Sequence, residues 1–424
     1  MLSKSPSILE NGQGLFGTHV TLEDINSSIR EHMNTESQLT SDSQMDVIGD
    51  GNGFSSRVIL ITCNWSIPSE SLPKKIVLKI VSFVHIRQLV EKAKNEGYFK
   101  ISEEDEEKMS EEFEKSIQLM HNQEIRFYET LKSANTDSQR FLTPKVFFYQ
   151  KFDDNNSTKG FIGMEFIERS DIRHTYEVCT PEEIQPVLRA IASIQALSFT
   201  IPEEDFKRIE DGSVYIQTMH GMMAEEGMKG IFEHTKRTDP ERFAERITRI
   251  QSHGSNLLNL EKAFDLNKFL GIPRNVLVHG DLWSANILWR SGENNVFSAC
   301  KILDYQMAHT GNPAEDLVRL LSSTLSGSIR QSQWENILEQ FYGYFVEALG
   351  KSQKEIPYTL EQLKQSYRLF FPMGGLALLP LFGPAIDMKM KSMEKEKAAE
   401  HRQVVVEKLE CLLDDVEKFY LESI

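Results

Sequence analysis

The chain has 424 residues, 40% hydrophobic and 26% charged, with 47 basic against 63 acidic side chains and a net charge of −16. That apolar content supports a large buried core, and the acidic balance argues against a polyanion such as nucleic acid as the partner. A single nucleotide stays compatible, because metal ions and one or two local cations can neutralise a triphosphate.

Residues 1–17 read as a flexible lead with no apolar run of signal-peptide length. Thr21 is placed to cap a helix through about Met33, with Leu22, Ile25 and Ile29 on one face. The stretch 47–65 reads as strand, glycine-rich turn and strand, and 76–81 (IVLKIV) as a short strand. The acidic run SEEDEEKMSEEFE, 102–114, reads as a solvated helix start. It leads into a helix with an inward stripe of Phe113, Ile117, Met120, Glu124, Phe127, Tyr128 and Leu131, spaced by threes and fours. Two strands follow, 145–150 and 160–167. After Glu168 the pattern turns helical: Pro181 opens a helix to about Phe199, and 203–270 is helical and charged. Residues 275–290 read strand–loop–strand, a hairpin returns the chain into ACKILDY, and from Pro313 onward the pattern is helical.

The apolar stretch 370–388 contains Pro372, Pro380, Pro384 and three glycines, so it reads as a buried, broken helix and no membrane insertion is expected. Four cysteines, Cys63, Cys179, Cys300 and Cys411, lie far apart without a CxxC pair. That spacing indicates neither a zinc site nor a disulfide framework and fits a cytoplasmic setting.

The segment HGDLWSANILW, 279–289, followed by KILDYQ, 301–306, carries the most chemistry. Asp281 and Asn286 sit in a loop bounded by apolar strands, and the hairpin should return Asp304 beside Asn286. Two carboxylates and an amide oxygen converging at strand ends form a hard-oxygen site suited to Mg²⁺. Phosphoryl transfer needs such a metal and a carboxylate to receive the acceptor's proton, and H-x-D-x-x-x-x-N before a strand ending in Asp is the kinase catalytic-loop arrangement.

Lys79 lies inside an apolar strand and Glu124 inside an apolar helical stripe. Each is costly to bury alone, so pairing them resolves both; the alternative is an edge-strand lysine and a glutamate at the rim. Gly49, Gly51 and Gly53 form a turn whose amides could approach phosphate oxygens, or a plain hairpin turn. Met164, Glu165, Phe166 and Ile167 either border an adenine or simply end a strand. Asp316 either charges a helix start or braces the catalytic loop, and His279 reads as a hydrogen-bonded structural histidine. Trp283 and Tyr305 either wall an acceptor pocket or belong to the core.

HGDLWSANIL, KILDYQ and GNPAEDLVRLL together resemble the CHK kinase-like, or ecdysteroid-kinase-like, family, within the choline kinase and aminoglycoside phosphotransferase group. The resemblance spans about Met45 to Ala398, although Gln195 stands where many relatives have histidine. It implies an α+β, protein-kinase-like bilobal fold. The expected parts are a lead and helix over 1–44, a nucleotide-binding lobe with antiparallel sheet plus helix over 45–168, and a larger, mostly helical lobe over 169–424. ATP would lie in the cleft between lobes. The resemblance further implies ATP and Mg²⁺ as cofactors and a small-molecule hydroxyl as acceptor. Asp281 would be the catalytic base, Asn286 and Asp304 metal ligands, and Lys79, held by Glu124, the contact to the α/β-phosphates.

A protein kinase is the nearest rival reading. Trp283 stands where protein kinases usually carry lysine, Tyr305-Gln306 follows the metal aspartate, and only eleven residues separate Asp304 from Asp316, too few for a usual activation segment. A catalytically silent nucleotide binder is the rival from another class.

Overall fold

The computed structural model describes residues 7–48, 56–82, 103–134, 140–210, 213–254, 257, 263–292, 296–350 and 355–423. The chain forms two compact units. The first comprises Met1–Ser133 and Pro144–Glu168, the second Ala134–Thr143 and Arg169–Ile424.

The first unit starts with helix α1 (Leu22–Met33). Thr21 Oγ1 accepts from the Asp24 amide while Asp24 returns a carboxylate to the Thr21 amide, a reciprocal cap that satisfies two otherwise orphaned donors. Strands β1 (Gln44–Val47), β2 (Ser56–Thr62) and β3 (Lys75–Val81) follow, then helix α2 (Glu103–Ser133) and strands β4 (Val146–Gln150) and β5 (Phe161–Glu165). They form one antiparallel sheet in the order β1-β2-β3-β5-β4, so β3 is central. Ile76, Leu78 and Ile80 of β3 are fully buried in a cluster with Ile25, Ile29, Phe148 and Phe161. Strand alternation puts Lys79 on the opposite face of β3.

Two expectations change here. Residues 7–17, read as a flexible lead, are tied down: Ser7 and Ile8 donate to the Glu114 carboxylate, and Ile8 is buried with Val81, Ile117 and Phe152. Phe113, assigned to the inward stripe of α2, is 45% exposed. The apolar cluster that receives α2 begins one turn later, at Ile117.

The second unit is mostly helical. It runs β6 (Asp171–Ile172), α3 (Gln185–Leu197), α4 (Glu203–Glu210), α5 (Ser213–Met223), α6 (Glu225–Thr238), α7 (Pro240–Ser252), the short α8 (Leu266–Phe269) and β7 (Val276–Val278). Then come β8 (Ile287–Ser291), β9 (Phe297–Ile302), β10 (His309–Gly311), α9 (Glu315–Thr324), α10 (Gly327–Leu349), α11 (Leu360–Leu376), α12 (Pro384–Lys391) and α13 (Lys395–Glu422). β7 pairs with β10, and β6, β8 and β9 form a second small sheet, all antiparallel. The helix expected from Pro181 begins instead at Gln185. Pro186 occupies its first turn, where a missing N–H costs nothing, and residues 181–184 form turns before it.

The stretch 370–388 is broken near Pro380 and Pro384 but not at Pro372. α11 passes through Pro372 and ends at Leu376, a 3₁₀ turn covers Leu379–Phe382, and α12 starts at Pro384. Among the described residues no helix is long and apolar enough to cross a membrane.

Candidate active site

The loop between β7 and β8 carries His279, Gly280, Asp281 and Asn286. Gly280 has φ 79°, a left-handed conformation, and a side-chain carbon there would collide with the Met307 carbonyl oxygen. Only glycine fits both demands. Its amide and that of His279 donate to the two carboxylate oxygens of Asp316, at 3.0 and 2.8 Å. Asp316, in the first turn of α9, is 1% exposed, so it braces the loop and does not merely charge a helix start. Burial pushes its carboxyl up to about 6, opposed by the two amide hydrogen bonds.

His279 is structural. Its Nε2 donates to the Leu303 carbonyl at 2.8 Å and its Nδ1 accepts from the Asp281 amide at 3.2 Å, which requires the neutral ring. Burial pushes its pKa down to about 4. Tyr305 is fully buried and tilts against His279 at 4.5 Å between ring centroids, so it belongs to the core; Trp283 is half-buried.

Asp281 keeps 26% of its side chain exposed. Its Oδ1 accepts from Arg319 Nη1 at 2.9 Å, and Asn286 Nδ2 reaches its carbonyl oxygen at 2.8 Å and its Oδ2 at 3.3 Å. Burial raises the Asp281 carboxyl to about 6, with Arg319 pulling it down and Asp304 pushing it further up. The hairpin does return the chain as the spacing suggests: the Leu303 amide donates to the Asn286 carbonyl at 2.8 Å. Asp304 follows at φ 66°, ψ 59°. A non-glycine residue in the left-handed region carries strain, and such strain concentrates at functional sites.

The second unit therefore brings Asp281, Asn286 and Asp304 to one place. Because Asn286 spends its amide nitrogen on Asp281, its side-chain oxygen is left as an acceptor. Two carboxylates and one amide oxygen fit a hard divalent cation. Among the described residues no group of three or more His, Cys, Asp or Glu side chains is arranged to hold a metal, so the candidate set depends on the asparagine.

In the first unit, Lys79 Nζ and Glu124 Oε2 lie 2.7 Å apart, 13% and 1% exposed. Lys79 is on the central strand, not an edge strand, which is why it needs the buried carboxylate. Glu165 ends β5, its Oε1 accepting from the Lys145 amide at 2.9 Å; Lys75 lies over the Phe166 ring at 5.1 Å, and Ile167 is buried. β3–β5 register sets Lys79 opposite Ile162 and Ile76 opposite Glu165, so these three residues lie farther along the sheet than Lys79. Gly49, Gly51 and Gly53 lie outside the described residues.

Arg319 escapes the motif reading, although the signal is present: a cation inside the apolar run EDLVRLL calls for a partner as much as Lys79 does. It lines a cavity of about 10 Å³, room for one water-sized group, with Tyr215, Gly280, Glu315 and Phe370. Glu315 is also missed. Its carboxylate binds His309 Nε2 at 3.1 Å and the Asn312 amide, and Tyr215 stacks on His309 at 3.8 Å. Gln195 is buried, donating to the Pro313 carbonyl and accepting from Tyr358.

A choline kinase from Cryptosporidium parvum Iowa II is similar to this chain with a TM-score of 0.50 and 11% identity, covering 95% of this chain and 97% of that one. A microcompartment-associated aminopropanol kinase gives 0.42 at 13% identity, covering 94% and 98%. The likeness to the choline kinase shows the fold: α+β and protein-kinase-like, with the antiparallel sheet in the N-terminal part and a larger helical C-terminal region. A Caenorhabditis elegans protein named "Uncharacterized oxidoreductase dhs-27" is 24% identical over 332 residues, 77% of this chain. The chain spans 38% of that protein's length. The chain belongs to the family DUF1679, whose model, described as "Uncharacterized oxidoreductase dhs-27", matches residues 8–424.

Proposed function

We propose that the chain is an ATP- and Mg²⁺-dependent phosphotransferase that moves a γ-phosphoryl group to a hydroxyl of a small molecule, choline-like, steroid-like or xenobiotic. The observation that supports this most is the Asp281 carboxylate, fixed by Arg319 and Asn286 on a loop pinned by Asp316. A carboxylate so held orients the acceptor hydroxyl and takes its proton as the acceptor oxygen attacks. Asp304 and the Asn286 side-chain oxygen would hold Mg²⁺, which when bound offsets the charge of the phosphate oxygens. Lys79, kept in place by Glu124, would contact the α/β-phosphates. Glu165, Phe166 and Ile167 would border the adenine, and the amides of Gly49, Gly51 and Gly53 would cradle phosphate. The motifs' resemblance to CHK kinase-like proteins belongs to this reading.

The test is transfer of label from γ-labelled ATP across metabolite extracts, with Asp281→Asn as control. Label should move to a small molecule with the native protein and not with the variant; equal turnover by both sinks the base assignment. A catalytically silent nucleotide binder is the second reading, favoured by one observation: the proton-accepting carboxylate is already engaged by Arg319. Mg²⁺-dependent thermal stabilisation by ATP with no labelled product from any acceptor would select it.

The nematode relative, a longer protein, is named an oxidoreductase. Among the described residues of this chain every strand pair is antiparallel, whereas a dinucleotide crevice of the doubly wound kind is built on parallel strands. Phosphoryl transfer is therefore the reading adopted for this chain.

A further inference from the structure

We propose that Arg319 is the positioning residue of the site: it sets the orientation of the Asp281 carboxylate, and α9 aligns the catalytic loop through two side chains one turn apart. This role rests on the phosphotransferase reading.

Asp316 and Arg319 are three residues apart on α9, so they project from one face of the helix. Asp316 holds the loop backbone through the amides of His279 and Gly280. Arg319 holds the side chain that follows, through Asp281 Oδ1 at 2.9 Å. Asn286 is the weaker hand on that carboxylate, since its shorter bond, 2.8 Å, goes to the Asp281 backbone oxygen and only a 3.3 Å contact reaches Oδ2. The charge-assisted bond therefore decides the rotamer. Arg319 is 12% exposed, which strengthens the bond relative to one in water, and among the described residues its hydrogen-bond partner is Asp281. With Oδ1 occupied, Oδ2 is the oxygen presented to the hydroxyl. A guanidinium suits this task because its donors are fixed in a plane, whereas a lysine ammonium on a flexible stem specifies direction poorly.

The experiment compares the native chain with Arg319→Met and Arg319→Lys, using Mg-ATP and water as acceptor, so that no acceptor need be known. Loss of orientation should lower kcat by about 100-fold in Arg319→Met while KM for ATP changes no more than about twofold. Arg319→Lys should recover part of kcat, and guanidinium ions added to Arg319→Ala should recover part as well. Native turnover in Arg319→Met, a loss confined to KM, or no recovery by lysine and guanidinium would each overturn the role while leaving the phosphotransferase reading intact. A native chain that neither hydrolyses ATP nor transfers its phosphate overturns that reading instead. The pair itself is read without activity, by thermal unfolding: Arg319→Met should cost more stability in the native background than in Asp281→Asn. Equal costs would show that the two side chains are not coupled, which also overturns the proposal.

Discussion

The two units each set one ion pair around a polar group, with opposite signs. In the first, the cation Lys79 is the more accessible member and the carboxylate of Glu124 is the brace, 13% against 1% exposed. In the second, the carboxylate of Asp281 is the more accessible member and Arg319 is the brace, 26% against 12%. The brace is in each case the better buried charge, and it sits on a helix while its partner sits on a strand or loop. An ammonium aimed outward suits phosphate oxygens; a carboxylate aimed outward suits a proton. On the proposed phosphotransfer reading the same device would serve opposite electrostatic tasks, with nucleotide binding in the first unit and proton handling in the second.

The largest expected effect tests that division. Asp281→Asn keeps the shape of the side chain and removes its basicity, so kcat should fall by about 1,000-fold while the affinity for Mg-ATP holds, as read by turnover and by calorimetric titration. Lys79→Met should do the reverse at the level of binding and raise KM for ATP. A variant of Asp281 that lost nucleotide affinity, or a variant of Lys79 that lost only kcat, would break the comparison.

Stability sharpens it. Removing Lys79 takes the ion-pair partner from a Glu124 carboxylate at 1% exposure, so Lys79→Met should cost about 3 kcal/mol in denaturant unfolding. The Asp281 carboxylate is already a quarter exposed with Arg319 in place and keeps the 3.3 Å contact from Asn286, so Arg319→Met should cost about 1 kcal/mol. Equal costs would mean that exposure of the carboxylate that loses its cation does not govern the outcome.

What could be read in the sequence follows the same logic of stranded charge. Lys79 and Glu124 are legible because each interrupts an apolar pattern and the costs cancel when they meet. That Asp281, Asn286 and Asp304 come together is legible because the hairpin between Asn286 and Asp304 folds back on itself. Arg319 interrupts an apolar run just as plainly and lies inside the motif GNPAEDLVRLL, but Asp316 is the residue of that motif given a role. Lys408 could not be placed from sequence at all: it is 2% exposed, and its ammonium donates to the backbone carbonyls of Glu177 and Ser323, which carry no side-chain signature. Tyr305 shows a further limit. An aromatic residue beside Asp304 reads equally as pocket or core, and its burial and packing on His279 decide for core. Phe113 fails for a related reason, because helical period fixes a face but not where along the helix the core begins.

The smallest expected effect separates the units by pH. His121 in the first unit is 3% exposed and donates Nε2 to the Gln150 carbonyl at 2.8 Å. Burial, with Lys79 nearby, pushes its pKa down to about 4. Its folded value lies below the ordinary 6.5, so its contribution is whole above pH 6.5 and is lost as pH falls toward 4, on the order of 1 kcal/mol per pH unit in that window. His309 in the second unit is equally buried, and burial alone would lower it. The Glu315 carboxylate at 3.1 Å and the Met307 carbonyl at 2.9 Å outweigh that and raise it above 6.5. Its contribution is whole below pH 6.5 and is lost as pH rises through the raised value. Measured as native minus variant, stability differences for His121→Gln should therefore shrink toward acid and those for His309→Gln should shrink toward alkali. Two slopes of the same sign would mean that the Glu315 carboxylate does not hold His309 charged, and the opposed use of buried charge in the two units would then not extend to their histidines.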